Sequence, residues 1–221
     1  MNKTVLITGS SKGLGEALAL EFAKNGYNII LNGRNKKELE NVKNKILKKH
    51  VKCYSVCGDI RATKTINNLY KVAKSKTISI LINNAGIGFK YSLESVTDKQ
   101  INETIDTNLL SLIKLTKKIY TFFLKKREGT IININSISGL ENQELRSIYC
   151  ASKWGLRGFT DTLKLEAKKN NIGIIGVYPS RIKTKPEYTF GMDVSYVAKV
   201  IYRKFKKNEE KDIILDKRPI I

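Results

Sequence analysis

The chain has 221 residues, 41% hydrophobic and 28% charged, with a formal net charge of +21, three cysteines and one histidine. That length suits one α/β domain with a sizeable core, and with no membrane-length apolar run or signal-peptide region a soluble protein without a membrane partner is expected. Cys53, Cys57 and Cys150 are too few for a disulfide framework and favour a reducing cytoplasm, while the lone His50 disfavours a zinc site or a Ser-His-Asp hydrolase, so no metal is expected.

In chain order, "KTVLIT" is a first strand entering a helix from about Leu14 to Asn25. "YNIILN" follows, then a lysine-rich helix to about Lys49 and the strand "KCYSVC". A helix near Thr63–Lys74 leads to "ISILIN", and a long amphipathic helix from Asp98 to about Lys125 leads to "GTIININ". A helix holding Tyr149 and reaching about Lys169 precedes "IGIIGVY", and a last helix near Val194–Lys206 precedes "KDIIL". Such alternation predicts a Rossmann-like, doubly wound parallel β-sheet of about seven strands with helices on both faces. Residues 1–221 show no repeat, low-complexity tract or linker, so one domain is expected, with ligands at the C-terminal edge of its strands.

The first strand runs into "TGSSKGLG", Thr8 to Gly15. Its glycines permit a tight turn and close approach of a pyrophosphate, at the positive end of the following helix. The spacing is G-x-x-x-G-x-G rather than G-x-G-x-x-G, and such a turn can also be a plain tight connection. Further on, "SIYCASKWGL" places Tyr149 four residues before Lys153. On a helix the two share a face, and a nearby ammonium lowers a phenol from its ordinary pKa of about 10 toward useful acid–base range. Tyr70 with Lys74 and Tyr202 with Lys206 have the same spacing, so spacing alone does not decide.

Thr8-Gly9-x-x-x-Gly13-x-Gly15, "NNAG" at Asn83–Gly86 and the Tyr-x-x-x-Lys pair together resemble the short-chain dehydrogenase/reductase family, over nearly the whole chain. The resemblance separates the three pairs. Only Tyr149 has a serine thirteen residues upstream, Ser136 at the end of "TIININS", where Tyr70 and Tyr202 have Cys57 and Thr189. Asn108, in "DTNLLS", matches the fourth member of the family's catalytic set. The implied activity is hydride transfer between NADP(H) and a small carbonyl or alcohol substrate. In that scheme Tyr149 is the general acid/base, Ser136 holds and polarises the carbonyl oxygen, and Lys153 lowers the Tyr149 pKa and bonds the nicotinamide ribose. Asn108 holds a water linking Lys153 to solvent. Cofactor contacts are implied for Thr8, Gly9, Ser11, Lys12, Gly13, Leu14 and Gly15, and for Asp59 and Ile60 near the adenine. Others are Asn83, Ala85 and Gly86, Tyr149 and Lys153, and Pro179, Ile182 and Thr184 beside the nicotinamide.

Cofactor choice falls in "LNGRNKKEL". Gly33 stands where an NAD-selecting carboxylate would, and the guanidinium of Arg34 suits a 2′-phosphate. Lys12 resembles a second basic contact of NADP-dependent members, so NADP(H) is expected over NAD(H). Two departures appear. Pro179-Ser180 replaces the usual Pro-Gly, which puts the local backbone in question. Only "KPEYTFGM" separates Thr184 from the last helix where relatives carry a longer lid, so an open site of modest selectivity is expected, with Tyr188 and Phe190 either covering the substrate or packing on that helix. The glycine-rich tail of ketoacyl-carrier-protein reductases is missing, which disfavours that specific activity. A homodimer is expected through the helices at Asp98–Lys125 and Arg146–Lys169, on residues including Phe122, Phe123, Leu156 and Phe159.

Two other classes compete. A cofactor-binding regulator without turnover is marked by loss of a catalytic group, yet all four are present. A nucleic-acid binder would account for the charge, but Lys, Asn and Ile supply 80 of 221 residues, the bias of an AT-rich coding sequence. The lysines are spread over helix faces without an aromatic-interleaved stripe, so no specific nucleic-acid partner is expected. A field that draws in anionic cofactors or substrates is.

Overall fold

Thr4–Ile7 form strand β1 in the computed structural model, and all four side chains are buried. Nothing alternates because a central parallel strand is covered on both faces. The structure describes residues 3–184, 190–207 and 211–216. Six more strands follow: β2 (Asn28–Gly33), β3 (Cys53–Cys57), β4 (Ile80–Asn83), β5 (Gly129–Ile134), β6 (Ile172–Pro179) and β7 (Ile213–Leu215). They pair in parallel in the order β3-β2-β1-β4-β5-β6-β7. Val5 is in register with Ile29 on one side and Ile80 on the other. The chain builds outward from β1 to β3, then returns to lay β4 against β1. That reversal opens a crevice at the strand ends, where open α/β sheets bind ligands.

The helices are α1 (Gly13–Lys24), α2 (Lys36–Leu47), α3 (Thr63–Ser75), α4 (Asp98–Ile105), α5 (Ser111–Lys126), α6 (Ser147–Ala167) and α7 (Val194–Lys206). Strand parity sorts the core into two layers. Val5, Ile7, Ile80 and Ile82 pack with Leu18 and Phe22 of α1, Leu39 of α2 and Ile201 of α7. Leu6, Leu81 and Ile131 pack with Leu69 of α3, Leu115 and Phe123 of α5 and Leu163 of α6. The other two Tyr–Lys pairs have structural settings. Tyr202 meets Phe22 edge-on at 5.2 Å, tying α7 to α1, and Tyr70 lies under the Lys118 ammonium at 5.7 Å.

The long helix expected from Asp98 to Lys125 is interrupted. Between α4 and α5, residues Asp106–Leu110 form a wide π-helical turn in which the Ser111 N–H bonds the Asp106 carbonyl. The apolar period continues across it, so the sequence pattern hides the break. Such turns are frequent at functional sites, and this one carries Asn108. The apolar residues assigned to a dimer contact pack within the chain instead: Phe123 and Leu156 are fully buried, and Phe122 and Phe159 lie against the same core. Among the described residues, no helix is long and apolar enough to cross a membrane.

Candidate active site

The turn after β1 is shaped by backbone contact. Gly9 has φ +61°, and a Cβ there would lie 2.8 Å from the Ala85 Cα. A Cβ on Gly15 would stand 2.2 Å from the Gly9 carbonyl oxygen. Bare backbone therefore faces the strand edge between β1 and β4, which fits a pyrophosphate. Thr8 is turned the other way. Its Oγ1 accepts from the backbone N–H groups of Asn84 and Ala85, both at 3.0 Å. Asn84 returns the contact, donating from Nδ2 to the Thr8 and Gly9 carbonyls at 2.9 Å. The Thr8 side chain thus clasps β4 rather than lining the cleft, and Asn84, inside "NNAG", is a positioning residue that the motif did not single out.

At the adenosine end the expected cations meet a carboxylate. Asn35 caps α2 by accepting from the Glu38 N–H at 3.1 Å, and this turns Glu38 back onto the glycine-rich turn. Ser11 Oγ donates to Glu38 Oε2 at 2.9 Å, and Lys12 Nζ lies 3.9 Å from Glu38 Oε1. Ser11 is thus engaged within the protein. Asp59 is engaged as well. Both its oxygens accept from Arg61, the shortest contact being 2.8 Å, and Arg61 continues to Glu103 of α4 at 3.2 Å. The Arg61 hydrogen bond holds the Asp59 carboxyl below the usual range.

Two other expected contacts point inward. Ile60 is buried in the layer with Ile66 and Leu69. Asn83 shares the parity of Leu81, so its side chain enters the α5/α6 layer, where Nδ2 donates to Thr116 Oγ1 and Asn133 Oδ1 at 2.9 Å. Asn133 continues to Thr160 at 3.0 Å. This polar ladder ties β4 and β5 to their covering helices.

At the other end, β5 delivers Asn135 and Ser136. Asn135 Oδ1 accepts from the Ser136 N–H at 3.0 Å, and its Nδ2 donates to the Lys153 carbonyl at 3.1 Å, fixing the serine against α6. Tyr149, in the first turn of α6, lies near enough to Ser136 for the serine hydroxyl to favour its phenolate. Lys153 is 4% exposed, and its ammonium donates to the Ile134 carbonyl at 3.1 Å. Burial pushes the Lys153 pKa down to about 8. Burial also raises Tyr149, against which Ser136 and then the Arg146 charge favour the phenolate. The expected depression of the phenol by Lys153 is therefore absent in this state, because loss of hydration outweighs the neighbouring charges.

Asn108 is brought to the same place but is fully engaged. Its Oδ1 accepts from the Ile87 N–H at 2.8 Å, and its Nδ2 donates to the Ile87 carbonyl at 2.8 Å and to Ser152 Oγ at 3.0 Å. Its amide fastens the loop after β4 to α6. Gly86 forms the floor between them: a Cβ there would sit 3.4 Å from Asn108 Oδ1 and 3.9 Å from Lys153 Nζ.

At the end of β6, Pro179 and Ser180 are buried, and the Ser180 N–H bonds the Leu215 carbonyl at 2.8 Å. Ser180 is not among the residues with positive φ, so glycine is not required there. Ile182 bridges Met192, and Thr184 lies opposite Gly13, whose Cβ would be 3.5 Å from the Thr184 Cβ. A cavity of about 960 Å³ opens beside that contact between α1 and α7, away from Tyr149. Phe190 is exposed beneath the Arg181 guanidinium at 5.1 Å, so it does not pack into the α7 core. Tyr188 lies outside the described residues.

Comparison with known proteins agrees with this architecture. A sequence profile described as short chain dehydrogenase matches residues 3–191. A 3-oxoacyl-acyl-carrier-protein reductase of Staphylococcus epidermidis is 31% identical over 185 residues, covering 82% of this chain and 76% of its own. A sepiapterin reductase of Chlorobaculum tepidum is 31% identical over 193 residues, covering 83% and 79%. Among solved structures, a short-chain dehydrogenase from Sphingobium yanoikuyae in complex with NADPH superposes with a TM-score of 0.89 at 25% identity, over 96% of this chain and 87% of that one. A bulky-bulky ketone specific alcohol dehydrogenase from Comamonas testosteroni gives 0.90 at 25% identity, over 96% and 85%. The chain belongs to the short chain dehydrogenase family, a family of oxidoreductases.

Proposed function

We propose that the protein interconverts a carbonyl compound and its alcohol with NADP(H), using Tyr149 as general acid/base. The observation that carries this is the convergence of Ser136, Tyr149 and Lys153 where β5 meets α6, above the bare floor at Gly86. When bound, the nicotinamide supplies or accepts the hydride. In reduction, the Tyr149 hydroxyl donates its proton to the carbonyl oxygen, and the Ser136 hydroxyl holds that oxygen by a hydrogen bond. A phenol raised by burial stays protonated at neutral pH, which suits the donor role. Lys153 contributes an ammonium fixed at the Ile134 carbonyl, placed to bond the nicotinamide ribose and to favour the phenolate as Tyr149 gives up its proton. Asn108 and Asn135 act as positioning residues.

Gly33, Arg34 and Lys12 support NADP(H) over NAD(H), as does the NADPH-bound relative. The free thiols Cys53, Cys57 and Cys150 accord with a cytoplasmic setting. The test follows NADPH absorbance with a panel of aldehydes and ketones. Tyr149→Phe should lower turnover by about 10²- to 10⁴-fold, the usual worth of general acid catalysis, while NADPH binding is unchanged. Tyr202→Phe, from a pair with the same spacing, should keep the parental rate. Parental turnover in Tyr149→Phe would overturn the assignment.

The proposal includes a homodimer through α6, one of the two helices expected, on its exposed face. Trp154 and Leu165 are exposed on one face of α6, and nothing lies within 4 Å of a Cβ on Gly158 between them. Leu165→Glu should shift the mass in light scattering from two chains to one. A parent chain that is monomeric at micromolar concentration would refute it.

A further inference from the structure

Arg146 stands one helical turn before Tyr149. Its guanidinium carbon lies 5.7 Å from the centroid of the Tyr149 ring, and Lys153 Nζ lies 5.7 Å from the same centroid. The phenol ring thus has a cation on either side along α6. Lys153 is buried and bonded to the sheet. Arg146 is half-buried at the mouth, and among the described residues it forms no ion pair with a carboxylate.

The crevice beside Arg146 is small, about 20 Å³, and mixed: Phe89, Tyr91 and Leu145 face it together with Gln100, Thr104 and Ser147. Phe89, Tyr91 and Leu145 are exposed large hydrophobic side chains that flank Tyr149 and Arg146, with the two rings 6.1 Å apart. Gly88 lays bare backbone on the edge of the tyrosine, where a Cβ would be 3.0 Å from the ring carbons. The Leu145 carbonyl accepts from the Tyr91 N–H at 2.9 Å, joining the two halves of the rim. Leu145 holds φ +60°, a left-handed conformation that costs a branched residue about 1–2 kcal/mol and is over-represented at ligand sites.

We infer that the substrate is an aromatic or otherwise apolar carbonyl compound bearing an anionic group, and that Arg146 binds that group while the carbonyl lies at Tyr149. This rests on the oxidoreductase reading of the same site. A guanidinium partly stripped of water and lacking a carboxylate gains most from a bidentate anion, while Phe89, Tyr91 and Leu145 bury the apolar body. The net charge of +21 steers anions to the mouth.

The probes are 4-formylbenzoate and its neutral methyl ester, with kcat and KM measured using NADPH. The parent protein should favour the acid by at least tenfold in kcat/KM, through KM. Arg146→Gln should erase that preference, costing the acid at least tenfold more in kcat/KM than the ester, and Arg146→Lys should restore part of it. Equal use of acid and ester by the parent overturns the inference. So does an equal loss of kcat for both in Arg146→Gln, which would mean that Arg146 acts on Tyr149 alone. Titration calorimetry separates this from the enzymatic reading. Acid-selective binding lost in Arg146→Gln, without turnover of either probe, upholds the anion site and counts only against catalysis. Absence of acid-selective binding overturns the site.

Discussion

Lys153 lies where β5 meets α6, and Lys12 lies in the glycine-rich turn after β1. Lys153 is 4% exposed and bonded to a backbone carbonyl, whereas the Lys12 side chain is 78% exposed and 3.9 Å from the Glu38 carboxylate. Around Lys153, Asn135 and Asn108 are held by hydrogen bonds from two or more elements. Around Lys12, Arg34 is exposed, and Ser11 and Lys12 both contact Glu38. A buried charge interacts through a low effective dielectric and in a fixed geometry, whereas an exposed one is screened within a Debye length of about 8 Å. In the proposed reaction, chemistry therefore has its strong interactions at the Lys153 end, and the proposed cofactor discrimination rests on the weak ones.

The sharpest break in that contrast is Lys153→Met. A lysine lowered from 10.5 to about 8 binds fewer protons folded than unfolded between those values, so folding stability rises with pH through that window. The full span amounts to at most about 3 kcal/mol, offset in the variant by about 1 kcal/mol for the hydrogen bond lost at the Ile134 carbonyl. Lys153→Met should be inactive yet unfold at higher urea than the parent at pH 7, with the difference shrinking toward pH 10. Urea midpoints at the two pH values check this. A constant difference would mean that Lys153 is charged and fully compensated in the fold.

Next in size is Gly15→Ala, which strikes the turn serving both ends. The new Cβ would meet the Gly9 carbonyl at 2.2 Å and Asn84 Nδ2 at 2.5 Å. Overpacking of this kind costs about 1–3 kcal/mol, and displacing Asn84 opens the clasp to Thr8. Lowered thermal stability and weakened binding of both cofactors are expected together. Gly158→Ala in the monomeric Leu165→Glu background is the control: it meets open space there, and its helix propensity gain should raise stability by up to about 1 kcal/mol. Equal behaviour of the two variants in a thermal melt would refute the packing argument.

The same contrast explains what could be read from sequence. Tyr149 and Lys153 are legible because one helical turn sets them on one face, and Ser136 only through the family resemblance, since its meeting with α6 is a tertiary contact. The motif points Asn83 at the cleft, whereas its strand parity with Leu81 turns its side chain into the α5/α6 layer. The π-turn at Asp106–Leu110 left no mark, because the amphipathic pattern runs through it. Phe123 and Leu156 looked surplus to one buried stripe, yet α5 and α6 bury wide faces against the sheet. Glu38 was invisible for another reason: its role depends on α2 folding back onto a turn far earlier in the chain, and no local pattern encodes that meeting.

Glu38 also sets the smallest and most discriminating prediction. A 2′-phosphate entering beside Arg34 and Lys12 gains two cations but approaches a carboxylate that already engages Lys12 and Ser11. Exposed charge contacts are each worth about 0.2–1 kcal/mol, so each change should alter affinity only a few-fold. Arg34→Ala should weaken NADPH and leave NADH nearly unchanged. Glu38→Gln keeps a polar partner for Ser11 while removing the repulsion, so it should tighten NADPH by a similar factor and again spare NADH. Both differences should shrink at 0.5 M salt, because the Debye length there falls to about 4 Å. Fluorescence titration of the two cofactors at low and high salt measures all of this. If Glu38→Gln instead weakens NADH selectively, the carboxylate is accepting from a ribose 2′-hydroxyl. The adenosine end would then be built for NAD(H), with Arg34 a solvated bystander.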